Sequence, residues 1–372
     1  MAKGEVPAGG EAIMHMASVE RALEWQADHA HENGAPCTAR LIRGFLPLLG
    51  ADLAIGQRMR EWPGLSLEDA MPLRLAGGFH HLQLSGDEAR LAPIYSGAIS
   101  DQPAVDAIVV EVARDHDERL LGWFDGPPQT NEAGRSAGVM AQLLWLSTKF
   151  GPRFELYEIG CSAGINTMLD RFHFNLGEIS LGAADSPIQI APEWRGEPPP
   201  CEPVEIVGIT GCDVAPIDLG DRAQALRLKS YVWPEVPERM DRLDAAIGLA
   251  QGRPPQIEHC DAAEFVNAML ARPAKDGVSR VLFHTIVWQY LPEPTRIAIE
   301  RAMFAAGEAA SEQHPLAWVT VETNRETFRH ELRCRYWPGS DAEVLLGEAH
   351  AHGAWVESYG VKSAREIPSM QR

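Results

Sequence analysis

The chain has 372 residues, 45% of them hydrophobic, which excludes a disordered protein and allows one large or two ordinary domains. Its 33 basic and 52 acidic side chains give a net charge of −19, and the acid excess is spread over both halves. Sequence-independent nucleic-acid binding and binding to anionic membranes both need clustered Lys and Arg, so both are disfavoured.

The chain also shows no sign of export or membrane insertion. No apolar run approaches the roughly 20 residues of a membrane-spanning helix, and the first 20 residues lack the apolar segment of a signal peptide. The six cysteines form no CxxC pair, and a chain with a core of this size needs no disulfide framework. We therefore expect reduced thiols and a cytoplasmic location.

Residues 1–150 are predicted to form a helical N-terminal domain that caps the rest. Apolar residues recur at helical spacing from Ile13 to His31, and Asn33 and Gly34 follow as a stop signal. Similar patterns cover Leu41–Leu49, Leu67–Leu84, Asp101–Phe124 and Asn131–Phe150.

Residues 151–372 are predicted to form an α/β domain with a doubly wound, mostly parallel sheet. Short β-rich runs that are apolar on both faces alternate with helical patterns, as buried parallel strands do. These runs are Phe154–Ile159, Val204–Ile209, Arg280–Val287 and Ala317–Val321, followed by later β-like runs at 331–337 and 354–359. An insertion near residues 172–203 is predicted to hold a β-hairpin.

The most informative stretch is the glycine-rich turn after the first strand. The strand runs through Glu158 into Gly160, Ser162 and Gly164, and a helix is predicted to begin at Asn166. Glycines let the backbone approach a ligand closely, and a helix N-terminus offers free N–H groups. The spacing E-x-G-x-S-x-G resembles the first motif of S-adenosylmethionine-dependent methyltransferases. There, an acid ends the first strand and the glycine turn holds the amino-acid part of the cofactor, which implies that Asn166 lies near its polar end.

The same letters also match G-x-S-x-G, the nucleophile elbow of α/β-hydrolases, with Ser162 as the nucleophile. Asp341 and either His350 or His352 would then complete the triad in the required order. An elbow lies deep in a hydrolase sheet, however, whereas about 150 helical residues precede this one, and no HGGG-like oxyanion segment is present. A βα turn that binds nothing is the third interpretation.

Two later acids follow predicted strands. Asp213 stands where methyltransferases carry the acid that binds ribose hydroxyls, a task that suits a carboxylate because it accepts two hydrogen bonds from a diol. Asp218 competes for that role. Asp261 resembles the acid beside adenine, and it is equally placed to cap the helix that follows; both roles are compatible.

The segment VLFHTIVWQYLP, residues 281–292, stands where methyltransferases carry residues that face the transferred methyl group. We expect His284, Trp288, Gln289 and Tyr290 at the carboxyl end of the strand, with Glu322 at the end of the next strand. His284 is a candidate general base because histidine titrates near neutral pH. The alternative is a buried histidine bonded to a backbone carbonyl.

Other candidates are weaker. Arg74, His80, His81 and Tyr95 fall close together in the helical domain and are candidates for substrate contacts from the cap. Arg227, Tyr231 and Trp233 are candidates for the cofactor side, with an ordinary core role as the alternative. No metal is expected, because neither HExxH nor a cysteine cluster accompanies the close histidine pairs.

Several stretches together resemble an uncharacterised bacterial family known only as a domain of unknown function. They include EIGCSAGINTMLDRFHF, GCDVAPID, LKSYVWPE, HTIVWQYLP, ELRCRYWPG and AHGAWVESYG, and the resemblance covers roughly residues 19–359. The resemblance implies a methyltransferase-like Rossmann core that follows a helical region, and it does not indicate an activity. Ser162 replaces the middle glycine of functional methyltransferases, and no NPPY-like substrate motif is present.

We therefore expect an S-adenosylmethionine-dependent methyltransferase acting on a small molecule. The alternatives are a serine hydrolase and a catalytically silent ligand-binding protein of the same fold. Four acids at predicted strand ends, Glu158, Asp213, Asp261 and Glu322, are expected to give an acidic crevice that suits a cationic sulfonium.

Overall fold

The structure is a computed structural model that describes residues 18–64, 69–339, 342–360 and 365–367. The chain divides into two compact units. The first comprises Met1–Thr130 and Asp221–Asp241, and the second comprises Asn131–Gly220 and Arg242–Arg372. Each unit has its own hydrophobic core, and each is described separately below.

The first unit is helical, as predicted. Its α1 buries Val19, Leu23, Ala27 and Ala30, which recur every three or four residues and so share one face. The α-helices of this unit are α1 (Val19–Glu32), α2 (Pro36–Arg43), α3 (Ala54–Arg60), α4 (Met71–Leu84), α5 (Ala92–Tyr95), α6 (Gln102–Asp115), α7 (Asp117–Leu121) and α9 (Arg222–Lys229).

Short 3-10 helices connect some of these elements, at Leu46–Gly50, Ala89–Leu91 and Gly122–Asp125. The long helix predicted over Asp101–Phe124 is therefore three consecutive pieces. It begins where the Asp101 carboxylate accepts from Ala104 N at 3.2 Å, and it breaks at His116, whose backbone leaves the helical region. Residues 13–17 and 67–68 of the predicted helices lie outside the described residues.

The second unit is built on a mixed sheet. Its strands are β1 (Arg153–Ile159), β5 (Glu193–Gly196), β6 (Glu205–Asp213), β7 (Ile257–His259), β8 (Ser279–Thr285), β9 (Leu316–Thr323), β10 (His330–Trp337), β11 (Glu343–Ala349), β12 (Trp355–Ser358) and β13 (Arg365–Ile367). The spatial order is β5-β12-β11-β10-β9-β8-β1-β6-β7, and β13 pairs with β11.

Five neighbouring strands of this sheet are parallel, namely β7, β6, β1, β8 and β9. Numbered by their order along the chain, they lie side by side as 3-2-1-4-5. The chain therefore reverses direction across the sheet between β1 and β8, and in open α/β sheets such a reversal leaves a crevice at the carboxyl ends of the strands. Beyond β9 the sheet continues as an antiparallel run of β10, β11 and β12.

Helices cover both faces of the sheet. The second unit contributes α8 (Ser136–Phe150), α11 (Ala262–Ala271) and α12 (Glu293–Glu308), and α10 (Pro237–Gly252) begins in the first unit. Trp318 of β9 belongs to the core cluster that includes Phe265 of α11 and Ile299 of α12. Val321 points to the opposite face, since side chains alternate along a strand, and it packs against Gly138 of α8.

The predicted division near residue 150 differs from the observed units in two places: residues 221–241, predicted within the α/β domain, belong to the helical unit, and α8 belongs with the sheet. This helix was assigned to the helical domain, but it packs on β9, β10 and β11 and belongs with the sheet. Its apolar face is buried between other elements, so its sequence alone does not say which partner it covers.

The segment between β1 and β6 contains the predicted hairpin. Strands β2 (His173–Leu176) and β3 (Ile179–Leu181) pair antiparallel across Gly177, and β4 (Gln189–Ile190) pairs parallel with β2. The rest of the segment was not foreseen: β5 joins the main sheet beside β12. No helix within the described residues is long and apolar enough to cross a membrane.

A pair of glycine-to-alanine changes tests the packing of α12. A Cβ added at Gly307 would lie 2.5 Å from Cε2 of Trp337, whereas one added at Gly248 in α10 would meet nothing within 4 Å. We expect Gly307→Ala to lower the free energy of unfolding by about 1–3 kcal/mol through overpacking. Gly248→Ala should raise it by up to about 1 kcal/mol through helix propensity.

Chemical denaturation of the two variants beside the wild type measures both effects. Equal or same-sign changes at the two positions would contradict the described contact between α12 and β10.

Candidate functional site

The glycine turn joins β1 to a short 3-10 helix, and its backbone is left-handed at three positions. The φ angle is +64° at Gly160, +54° at Ser162 and +70° at Gly164. Glycine adopts such values freely, but a serine adopts them only when its surroundings impose them. Imposed conformations of this kind are concentrated at functional sites, which makes the turn the first candidate.

A helix follows the turn as predicted, but it is a 3-10 helix and not an α-helix. Asn166–Arg171 is a six-residue 3-10 helix, too short to present the aligned peptide dipoles expected of an α-helix N-terminus. The backbone N–H of Ile165 is already used, since it donates to Oδ1 of Asn131 at 2.8 Å. Any ligand at this turn must therefore be held by side chains and by the turn itself.

Asp213, the last residue of β6, fixes the turn. Its Oδ2 accepts from Ser162 N at 2.7 Å, and its Oδ1 accepts from Ala215 N at 2.8 Å. One carboxylate thus holds the loops that follow two neighbouring strands. The competing acid, Asp218, accepts from Gly220 N within its own loop. Each oxygen of a carboxylate has two lone pairs, so Asp213 can still accept from a further donor.

Glu158 lies beneath the turn and is almost fully buried. Its pKa is raised to about 8, chiefly by burial and also by the negative charge of Asp213. Opposing effects come from Thr167, whose hydroxyl donates to Oε2 at 2.6 Å, from the positive charge of Arg135, and from the amide of Asn166. At neutral pH the Glu158 carboxyl is therefore mostly protonated, which differs from the anion that the sequence suggests.

Three buried polar atoms beside this acid have no hydrogen-bond partner. They are Oγ of Ser162 and both Oδ1 and Nδ2 of Asn166, all almost inaccessible to water. Leaving a buried polar atom unpaired costs about 1–3 kcal/mol, and native structures contain few such atoms. Three of them at the end of the central strand mark a place where the protein alone does not complete the hydrogen bonding.

The residues predicted at the ends of β8 and β9 meet as expected. Nδ1 of His284 lies 2.6 Å from Oε1 of Glu322, and the His284 ring stacks on Trp288 with centroids 5.2 Å apart. Oε1 of Glu322 also accepts from Val287 N at 2.9 Å. Trp318 Nε1 donates to Nε2 of His284 at 3.0 Å.

These contacts fix the tautomer of the His284 ring and leave neither of its nitrogens free to act as a base. The indole N–H of Trp318 can only donate, so Nε2 must be the acceptor and Nδ1 must carry the proton toward Glu322. Both ring nitrogens are engaged, and the ring is buried. The histidine and Glu322 instead hold the turn after β8, where Ile286 has a φ of +53°.

That turn packs directly on the glycine turn. A Cβ added at Gly160 would lie 2.1 Å from Cγ2 of Val287, and one added at Gly164 would lie 2.7 Å from Cδ1 of Ile257. Both glycines are therefore required by the protein's own packing. Gln289 follows in a 3-10 helix, Trp288–Tyr290, and Tyr290 is two-thirds exposed.

Asp261 caps α11. Its Oδ1 accepts from Ala263 N at 2.8 Å, and its Oδ2 lies 3.4 Å from the hydroxyl of Thr295. The helix-capping interpretation is confirmed. The carboxylate therefore already has two partners within the protein.

Arg135 and His330 lie at the same edge of the sheet, and the sequence did not identify either as a candidate. Arg135 is buried, and its Nη1 lies 3.5 Å from the carbonyl oxygen of Thr285. His330 lies 3.0 Å from the hydroxyl of Thr323, and its pKa falls to about 4 because of burial and the charge of Arg135. Pairing of β10 with β9 brings His330 beside Thr323, and that pairing could not be deduced from the sequence.

The hydrolase constellation does not assemble among the described residues. Oγ of Ser162 has no hydrogen-bond partner, so no histidine activates it. Nδ1 of His350 accepts from His352 N at 3.2 Å. Asp341 lies outside the described residues.

The candidates in the helical unit have structural partners there. Nδ1 of His80 lies 3.1 Å from the carbonyl oxygen of Ser230, and Arg74 donates to the carbonyl oxygens of Asp69 and Phe124. Three other candidates, His81, Arg227 and Tyr231, contact the ring of Trp123. The last two pack elsewhere: Tyr95 contacts His80, and Trp233 contacts His29. No group of three or more His, Cys, Asp or Glu that could hold a metal occurs among the described residues.

The chain belongs to the family described as an uncharacterized protein conserved in bacteria, DUF2332, whose family model matches residues 20–358. This confirms the resemblance to a bacterial family of unknown function. No significant match was found among curated proteins or among solved structures.

The buried acid predicts a distinct dependence of stability on pH. The folded-state pKa of Glu158, about 8, lies above its ordinary value of 4.5, so between these values the folded chain holds a proton that the unfolded chain has lost. Stability from this group is complete below pH 4.5 and falls as the pH rises toward 8. Glu158→Gln removes the effect.

We expect the free energy of unfolding of Glu158→Gln, relative to wild type, to rise by up to about 1.4 kcal/mol per pH unit between pH 5 and 8. Glu155→Gln is the control on the same strand, because partial burial raises the pKa of Glu155 but Lys275, Tyr157 and Arg280 together lower it below its ordinary value. Its difference from wild type should stay constant over this range. A constant difference for Glu158→Gln would show that the acid is ionised in the folded state.

Proposed function

We propose that the chain binds S-adenosylmethionine at the carboxyl edge of its parallel strands and is a methyltransferase for a small-molecule acceptor. The strand order 3-2-1-4-5, with helices on both faces, supports a doubly wound Rossmann arrangement. The glycine turn follows the central strand β1, beside the reversal between β1 and β8. This is the position where such sheets bind ligands.

The observation that carries the proposal is the set of unpartnered buried polar atoms on two side chains, Ser162 Oγ and both Oδ1 and Nδ2 of Asn166. A hydroxyl and a carboxamide suit the ammonium and carboxylate of an amino-acid ligand, because each can both donate and accept. Asp213 stands at the end of the adjacent strand with unused lone pairs, as a ribose diol requires. The residues present therefore fit the polar parts of the cofactor.

When bound, S-adenosylmethionine supplies a methyl group already activated on a sulfonium, so the protein contributes mainly position. Trp288 and Gln289 are the side chains assigned to the acceptor side. His284 and Glu322 are positioning residues, since they hold the turn that carries Trp288 and no lone pair of His284 is free. Glu158, neutral at pH 7, accepts from Thr167 beneath the turn.

Binding without turnover is the outcome that would identify a catalytically silent ligand-binding protein. The hydrolase alternative rests on one observation, the left-handed backbone of Ser162 in a strand-turn G-x-S-x-G segment. Covalent labelling of Ser162 by a fluorophosphonate would favour it over the methyltransferase.

Calorimetric titration with S-adenosylhomocysteine tests the site. We expect Asp213→Asn to weaken binding by about tenfold or more, because a hydrogen bond to a charged acceptor is lost. Asp218→Asn makes the same chemical change in the same loop and should leave the affinity nearly unchanged. Loss of binding only in Asp218→Asn would assign the ribose to that acid instead.

Asp213 also holds the glycine turn, so its substitution could weaken binding indirectly. A second ligand distinguishes a direct contact with the ribose from this effect on the turn. The 2′-deoxy analogue of S-adenosylhomocysteine lacks one ribose hydroxyl. If Asp213 contacts the ribose, the analogue should bind wild type more weakly than the parent does, and Asp213→Asn should discriminate less between the two ligands. Equal discrimination in both proteins would show that Asp213 acts only on the turn.

A further inference from the structure

A cavity opens at the amino edge of the parallel strands, at the opposite end of β1 from the glycine turn. It lies where β1, β8 and β9 begin and where α11 and α12 end, and its volume is about 400 Å³. Glu155, Arg280 and Leu316, near the starts of the three strands, line it. Small-molecule sites have volumes of this order, so the space is large enough for a ligand.

Most of the cavity wall is aliphatic. Three of its residues are alanines near the end of α12, whose short side chains leave the space open. The aliphatic lining residues include Leu270, Val278, Ala306, Ala309, Ala310 and Leu316. Such a wall suits a hydrocarbon chain, because burying apolar surface against apolar surface is favourable.

The charged side chains of the described lining are mainly basic, although the whole chain has a net charge of −19. Arg272, Lys275 and Arg280 line the cavity together with one carboxylate, that of Glu155. His314, the remaining titratable lining residue, is paired with an exposed aspartate. The lining therefore carries more positive than negative charge.

Two of the cations are in exposed ion pairs. Nζ of Lys275, whose side chain is 58% exposed, lies 2.7 Å from Oε1 of Glu155. Arg272 and Glu258 are each 42% exposed, and their paired atoms are 2.8 Å apart. Exposed ion pairs stabilise a protein only weakly, so both cations can turn toward an incoming anion at little cost.

Arg280 is bonded to backbone atoms and not to a carboxylate. Its Nη2 donates to the carbonyl oxygens of Arg272 at 2.9 Å and Pro273 at 3.2 Å, just after the end of α11. Its Nη1 lies 3.4 Å from the carbonyl oxygen of Leu270. These contacts fix a positive charge beside the cavity and offset the negative end of the helix dipole, which would otherwise repel an anion.

We propose that this cavity binds a small anion with an aliphatic body, such as a medium-chain carboxylate. The cations of residues 272–280 hold the anionic group, and the hydrocarbon chain lies along the alanines of α12. The site is independent of the glycine turn and of any cofactor bound there.

Octanoate, octanamide and acetate are matched probes of the two parts of this site. Octanamide keeps the chain without the charge, and acetate keeps the charge without the chain. Calorimetric titration of the wild-type chain at low salt should show saturable binding of octanoate, and binding at least about tenfold weaker for each of the other two. No saturable binding of octanoate, or equal affinity for either analogue, would overturn the proposal.

Two alanine variants locate the bound octanoate. Ala309→Leu places a larger side chain at the cavity wall, so octanoate affinity should fall by about tenfold or more. Ala305→Leu is the matched control, because Ala305 lies one helical turn earlier and does not line the cavity. Its affinity should stay within about twofold of wild type. Both alanines are exposed, so both variants should fold, and equal affinities in the two would overturn the proposed location.

Two charge variants should change octanoate affinity in opposite directions. Lys275→Met removes a cation and should weaken binding by about threefold or more. Glu155→Gln removes the carboxylate of the lining and releases Lys275, so binding should tighten by about as much. Octanamide binding should change little in either variant. Changes of the same sign for octanoate would show that these charges do not recognise the anion, and would overturn the proposal.

Discussion

The second unit depends on one carboxylate, that of Asp213. It accepts from the backbone of the glycine turn and from the backbone of its own loop, and so ties together the ends of β1 and β6. The carbonyl oxygen of Ser162 accepts from Ile217 N at 3.1 Å, which adds a second connection. These bonds impose the left-handed backbone of Ser162 and leave its hydroxyl buried without a partner.

The same carboxylate changes the electrostatics of the edge. Its charge adds to the effect of burial on Glu158, so two neighbouring acids do not both ionise at neutral pH. Asp261 caps a helix, and Glu322 faces His284 and backbone N–H groups. The acidic crevice expected from four strand-end acids is therefore reduced mainly to Asp213, and selectivity for a cation would rest on that residue.

The parts of the fold that a local hydrophobic pattern determines were predictable from the sequence. The runs around Phe154–Ile159 and Ala317–Val321 are buried strands as expected, and the glycine turn follows the first of them. The three-residue β7 was missed because it is too short to show a pattern, and β11, EVLLGEA, because glutamates interrupt its apolar residues. The packing of α8 on the sheet depends on tertiary contacts, which a helical pattern does not specify.

The sequence predicted which residues meet at the candidate site better than it predicted what those residues do there. His284, Trp288 and Glu322 do come together, since parallel strands end at one edge. The sequence could not show that Trp318 occupies Nε2 of His284, because that contact comes from the neighbouring strand. Nor could it show the burial that keeps Glu158 protonated, or the strand pairing that adds His330 to the edge.

The most direct test of the central claim is a crystal structure of the chain grown with S-adenosylhomocysteine. The account predicts ligand density along residues 160–164, with its amino-acid end near Ser162 and Asn166 and its ribose near Asp213. Density elsewhere, or a well-ordered site in which water alone pairs with Ser162 Oγ and Asn166 Oδ1, would contradict it.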